Sequence, residues 1–333
     1  GEEVQISNSL TESGTVTDIK SILNIEGDGN IQLTKGSFSF NKIIFTINEN
    51  ARSGYILSGT ATSTQISISS CIMKMVGSIP QYSILTVLVE LIGGDLGSGI
   101  YAQILSSGAL TIEGTSSFVY CKARLDLGAS LYSTISGANR KLILEDEILF
   151  ERFMKYQERN KKTQFGQGRG AYIELSNDEI IEVNEILFNE CKGINGGGIQ
   201  INSLSAQKQT FNGTQFTNCV ADENGGGLYC VINSGEIELN EVIISGCFAL
   251  EGGGIYSQID GTGKLTIKDS CSFTSCSSTG GNGGGIYIDI DFSTQSQISV
   301  QSTRFEYCQA LNPQISDINK GYGSGIFIFC INC

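Results

Sequence analysis

Residues 188–200 read FNECKGINGGGIQ, and the same arrangement returns as FTNCVADENGGGLY at 216–229 and FTSCSSTGGNGGGIY at 273–287. In each copy a Phe is followed three residues later by a Cys, and three consecutive glycines then lead into an aliphatic residue. Phe118/Cys121 and Phe305/Cys308 repeat the pair, while Ile244/Cys247 changes its first member and Phe150/Phe153 its second. From Cys121 onward the steps between second positions are 32, 38, 28, 28, 29 and 32 residues. A near-constant period of this size marks a solenoid, in which each repeat packs only on its neighbours.

Working outward, a further glycine run stands at Gly252-Gly253-Gly254-Ile255, with looser copies at Gly99-Ile100, Ser130-Leu131, Gly170-Ala171 and Gly325-Ile326. After each turn, residues alternate with period two, as in Ile286, Ile288, Ile290 and Leu228, Cys230, Ile232. That alternation signals a strand with one inward face. A second short strand follows (Ile237/Leu239, Leu265/Ile267, Ile298/Val300), and the Phe falls on a third. No helical period separates them, which rules out βαβ units. The expectation is an all-β, right-handed, single-stranded parallel β-helix with three short strands per coil and about 10–11 coils. Coils stacked at ~4.8 Å would align like residues into internal Ile, Phe and Cys ladders.

Residues 101–333 carry the regular coils, with insertions at 154–169 and 309–324, whereas 1–100 read as a polar cap and degenerate coils. The last stretch, Gly325 to Cys333, ends mid-pattern in apolar residues, so further chain or another subunit is expected to cover it.

Composition narrows the function. The chain of 333 residues has 42 Gly, 2 Pro, no His and no Trp, and 40% of it is hydrophobic. A net charge of −13 argues against nucleic acid as a partner, because phosphate binding needs Lys/Arg patches. No apolar run reaches the ~18–20 residues of a membrane-spanning helix. The absence of histidine removes triads and most general-base schemes.

The GGGI(Y) turn paired with FxxC resembles the GGA(I/L)–FxxN repeat of chlamydial polymorphic outer-membrane proteins. It is more similar still to β-helix surface proteins of flagellate and ciliate protists, within a wider kinship to pectin-lyase-like β-helices. The resemblance spans about residues 95–330 and implies a secreted or cell-surface structural or adhesive role without catalytic residues. Cys stands where the chlamydial motif has Asn, so no autotransporter-type domain is implied.

Several constellations are candidates for function. The outward position after the glycine turn is Tyr101, Tyr132, Tyr172, Gln200, Tyr229, Tyr256, Tyr287 and Phe327. Such a stripe either stiffens the sheet as a stacking ladder or presents a contact surface for a protein or glycan. The insertion at 154–169 carries Lys155, Arg159, Lys161, Lys162 and Arg169, a basic loop suited to docking on an acidic neighbour. Asn212-Gly213-Thr214 is an N-glycosylation acceptor. Asp260, Asp289 and Asp291 make the best acidic cluster for a polygalacturonase-like hydrolase, set against a solvated strand end or a weak Ca²⁺ site. The cysteine column reads as structural, and no cofactor or metal site is expected: zinc lacks His partners, and the lone CxxC is Cys330/Cys333. The functional expectation is a non-catalytic extracellular scaffold, coat or filament protein that self-associates through its faces or ends. A carbohydrate-binding adhesin is the alternative and a glycan hydrolase the distant one.

Overall fold

A computed structural model describes residues 170–311 and 321–331 continuously, together with 100–105, 109–114, 116–119, 131–136, 140–151 and nine strands from Glu3–Ser7 to Leu85–Leu88. The chain forms a parallel β-solenoid. Its strands align into a nine-stranded sheet, two ten-stranded sheets and a five-stranded sheet, with a separate pair formed by Ile31–Leu33 and Leu57–Gly59. Every strand pairing is parallel and joins one coil to the next. Six consecutive coils, from Leu131–Ser136 to Gln309–Ala310, are described with their side chains. Among the described residues no helix is long and apolar enough to cross a membrane.

One coil shows how sequence becomes shape. Ile199–Ser203 buries Ile199, Ile201 and Ser203; Lys208–Asn212 buries Gln209 and Phe211; and Gln215–Thr217 buries Phe216. The chain then turns at Cys219 into Val220–Asn224, a member of the five-stranded sheet. Beyond the three strands expected for each coil, this short fourth strand recurs. Its copies are two to five residues long (Lys192–Asn195, Phe248–Ala249, Ser277–Ser278) and too short to show a period.

The three glycines of each turn are required for three different reasons. The first takes a left-handed conformation, with φ of 58° at Gly196 and 69° at Gly283, which a Cβ disfavours. The second lies against the backbone of the next coil: a Cβ on Gly226 would sit 2.5 Å from the Phe248 nitrogen. The third seats the phenylalanine of its own coil, since a Cβ on Gly198 would come within 2.5 Å of the Phe216 ring and one on Gly254 within 2.9 Å of Phe273. The glycine run and the distant Phe are thus two halves of one packing unit.

Inside, Phe118, Phe150, Phe188 and Phe216 stack with centroids 4.8, 4.8 and 5.0 Å apart. Ile244 interrupts the column, and Phe273 resumes it on Phe305 at 4.9 Å. The cysteine of each FxxC serves the preceding coil: the thiols of Cys191, Cys219, Cys247, Cys276 and Cys308 donate to the carbonyls of Phe150, Phe188, Phe216, Ile244 and Phe273, with separations of 3.4 to 3.6 Å. These five cysteines, with Cys230 and Cys271, are free thiols. Immediately before each Cys the backbone turns left-handed, at Glu190, Asn218, Gly246, Ser275 and Tyr307.

Candidate functional site

With the interior filled by packing residues, chemistry is left to the outward faces. On the nine-stranded sheet the aromatic stripe falls in register: Tyr101 pairs with Tyr132, Tyr132 with Tyr172, Tyr172 with Gln200, Gln200 with Tyr229, and so on to Tyr287 with Phe327. The rings stack. Tyr132 lies 5.1 Å from Tyr172, Tyr229 5.3 Å from Tyr256, Tyr256 4.8 Å from Tyr287, and Tyr287 5.2 Å from a tilted Phe327. Stacking at the coil repeat hides most of each ring, so Tyr132, Tyr172 and Tyr287 are only 6%, 5% and 8% exposed, although their strand positions point away from the core. Tyr229, Tyr256 and Phe327 are half-buried. For Tyr101 the pairing register alone is described.

Burial governs the protonation of this stripe. It raises the phenol of Tyr256 well above the ordinary range and that of Tyr287 to about 12, with Asp289 and Glu251 adding to both effects. Tyr229 moves the same way. Tyr172 is also raised by burial and by Glu174, and an amide hydrogen bond from Asn202, at 2.9 Å, pulls back against them.

The ladder is interrupted once, at Gln200. Around it lies a cleft of about 390 Å³, lined by Glu174, Asn195, Gln200, Asn202, Leu204, Tyr229, Val231 and Asn233, with Leu175 and Ser203. In the sequence Gln200 is the one non-aromatic residue of the stripe. A missing ring in an otherwise aromatic column was the signal.

One of the ten-stranded sheets carries polar ladders on its outward face. The Asn212 amide donates to Asn184 Oδ1 and its own oxygen accepts from Asn240, both at 2.7 Å. The glycosylation candidate Asn212 therefore sits inside an asparagine ladder, and Thr214 of the same triplet is fully buried. Glu238 lies between Lys208 at 2.6 Å and Lys268 at 3.4 Å. Burial pushes its carboxyl up, and the two lysines with Asn240 more than reverse this, leaving it below the usual carboxylate range.

The acidic cluster is divided among local tasks. Asp260 accepts from Gln258 at 2.9 Å, and Asp291 accepts from the Ser293 backbone at 2.9 Å to shape the turn. Asp289 is raised by burial and by Asp260. Among the described residues, no three His, Cys, Asp or Glu side chains converge to hold a metal ion, and Cys330 is disulfide-bonded. The basic candidates Lys155, Arg159, Lys161, Lys162 and Arg169 lie outside the described residues, as do 312–320 of the second insertion. The chain matches no protein-family model, no curated protein and no solved structure.

Proposed function

We propose that the chain is a non-catalytic structural scaffold of a cell surface or extracellular assembly, self-associating through the faces or ends of its solenoid. The observation that carries this reading is how the side chains are used. Inside, Phe and Cys columns bind coil to coil; outside, stacked tyrosines, an asparagine ladder and Lys–Glu pairs do the same. Side chains committed to their equivalents in the next coil stiffen a rod and are not free to follow a reaction. The resemblance to protist β-helix surface proteins and chlamydial repeat proteins supports the same placement, and the basic 154–169 loop is a candidate docking element within it. An acidic surface of net charge −13 keeps such a rod soluble until specific contacts form.

The test is sedimentation velocity with negative-stain imaging over a concentration series. Concentration-dependent oligomers or fibres support the reading, and a monomer at every concentration refutes self-association. Release of reducing ends from polygalacturonate, lost in Asp289→Asn, would replace the scaffold with a hydrolase.

A further inference from the structure

The break in the tyrosine ladder has consequences beyond stiffness. Two rows of outward residues cross three coils in register there: Tyr172, Gln200, Tyr229 and, two positions on, Glu174, Asn202, Val231. Neighbouring parallel strands are about 4.8 Å apart, so Tyr172 and Tyr229 stand about 9.6 Å apart across Gln200. Gln200 is 2% exposed and Tyr172 5%, so the interval between them is filled, and the cleft opens beside it over Asn202, Tyr229, Val231 and Asn233. Tyr229 is stacked by Tyr256 on one side, at 5.3 Å, and turns its other side towards Gln200.

The lining selects a ligand class. Four side-chain amides (Asn195, Gln200, Asn202 and Asn233) and one carboxylate, Glu174, surround the cleft, and among the described residues no Lys or Arg does. A phosphate, sulfate or uronate would therefore meet Glu174 with no counter-charge. A wholly apolar ligand would strip water from those amides and return no hydrogen bonds. An amide offers a donor and an acceptor side by side, which matches a pair of vicinal hydroxyls. The half-buried Tyr229 ring and the lip formed by Leu204, 56% exposed, suit the C–H face of a sugar ring. At about 390 Å³ the cleft lies within the ~300–1,000 Å³ range of small-molecule sites.

We infer that the cleft at Gln200 is a binding site for a neutral hexopyranose segment of a glycan, read by the amide of Asn233, the second N–H of the Asn202 amide and the ring of Tyr229. One ring held this way gives weak binding. A rod in an assembly repeats the site on every copy, so avidity supplies the strength.

The test uses the whole chain, titrated with cellotetraose, maltotetraose, mannotetraose and chitotetraose, and with tetragalacturonate as the charged counterpart. Saturation-transfer NMR and calorimetry read the binding. At least one neutral tetrasaccharide is expected to bind with a Kd near ~1 mM. Gln200→Tyr puts a larger ring at the floor of the cleft and is expected to weaken binding at least about tenfold. Asn202→Ala serves as a second variant with the same expected loss. Tyr256→Phe, outside the cleft, keeps the parent affinity. No binding of any neutral sugar at ~10 mM overturns the inference. So does unchanged binding in a folded Gln200→Tyr, or tighter binding of tetragalacturonate than of the neutral sugars. The inference stands apart from self-assembly: a glycan-binding monomer removes the scaffold reading alone, and a filament blind to these sugars removes only the cleft.

Discussion

Phe188→Ala is the perturbation that best tests the stacked interior. Phe188 is fully buried between Phe150 at 4.8 Å and Phe216 at 5.0 Å, and its ring closes the space over Gly170. Truncating a buried Phe to Ala costs about 3–5 kcal/mol in lost transfer energy and cavity formation. Two ring pairs, each contributing about 0.5–1.5 kcal/mol beyond area, place this site at the upper end, near 5 kcal/mol. In a globular core neighbours from several directions could collapse into the void. Here the backbone is fixed by parallel pairing on both sides, with Leu187–Asn189 bonded to Leu149–Glu151 and to Gln215–Thr217, so little relaxation is available. Because each coil contacts only its neighbours, the loss should also stay local. Hydrogen exchange by mass spectrometry is the assay. Protection is expected to fall strongly at 149–151, 187–189 and 215–217 and little at Arg304–Glu306, four coils away. A loss below about 1.5 kcal/mol, or an even loss along the rod, would refute the reasoning.

Three further outcomes follow from the ladders. Asn212→Ala removes two amide hydrogen bonds of 2.7 Å and should cost about 2 kcal/mol in urea unfolding, at roughly 1 kcal/mol per bond; a cost under 0.5 kcal/mol would mean that the Asn column is ornamental. The stripe phenols are raised in the folded chain, Tyr287 to about 12, against an unfolded value of about 10, so their contribution is complete below about pH 10 and lost as pH rises through the folded values. Absorbance at 295 nm should show these phenols ionising only with alkaline unfolding, and ordinary titration in a still-folded chain would contradict it. Among the stacked thiols Cys308 is half-buried whereas Cys191 and Cys219 are fully buried, and the neighbouring Cys276 thiol lowers Cys308 to about 7 while burial works against the shift. Iodoacetamide at neutral pH should therefore modify Cys308 before Cys191 or Cys219, and equal labelling in native protein would contradict that order.

How much of this was legible in the sequence depends on how each residue acts. The Phe, Cys and glycine columns could be read because one residue type recurs at one place, and parallel stacking rewards that repetition. The corner before each Cys could not. Glu190, Asn218, Ser275 and Tyr307 share a left-handed backbone but no side-chain property, so nothing in their identity announces it. Nor could the direction of the thiols: FxxC looks like a contact within one turn, yet Cys219 reaches the carbonyl of Phe188 in the coil before. The tyrosine stripe was visible as a column, but its burial was not, because mutual stacking between coils hides rings that a single strand would leave wet. Gln200 stood out by type, while the volume beside it required three strands in register.

That backward reach of the cysteine makes the coil an exchangeable part. Each coil offers its successor a carbonyl and a ring and receives a thiol in return, and the spacings Cys191–Cys219 and Cys219–Cys247 are both 28 residues. A rod built this way can grow or shorten by gene duplication or excision in whole turns, with every new junction meeting partners it already fits. Its sites are inherited in the same units: removing the single turn that carries Gln200 would bring Tyr172 directly beneath Tyr229 and erase the cleft without disturbing the rod.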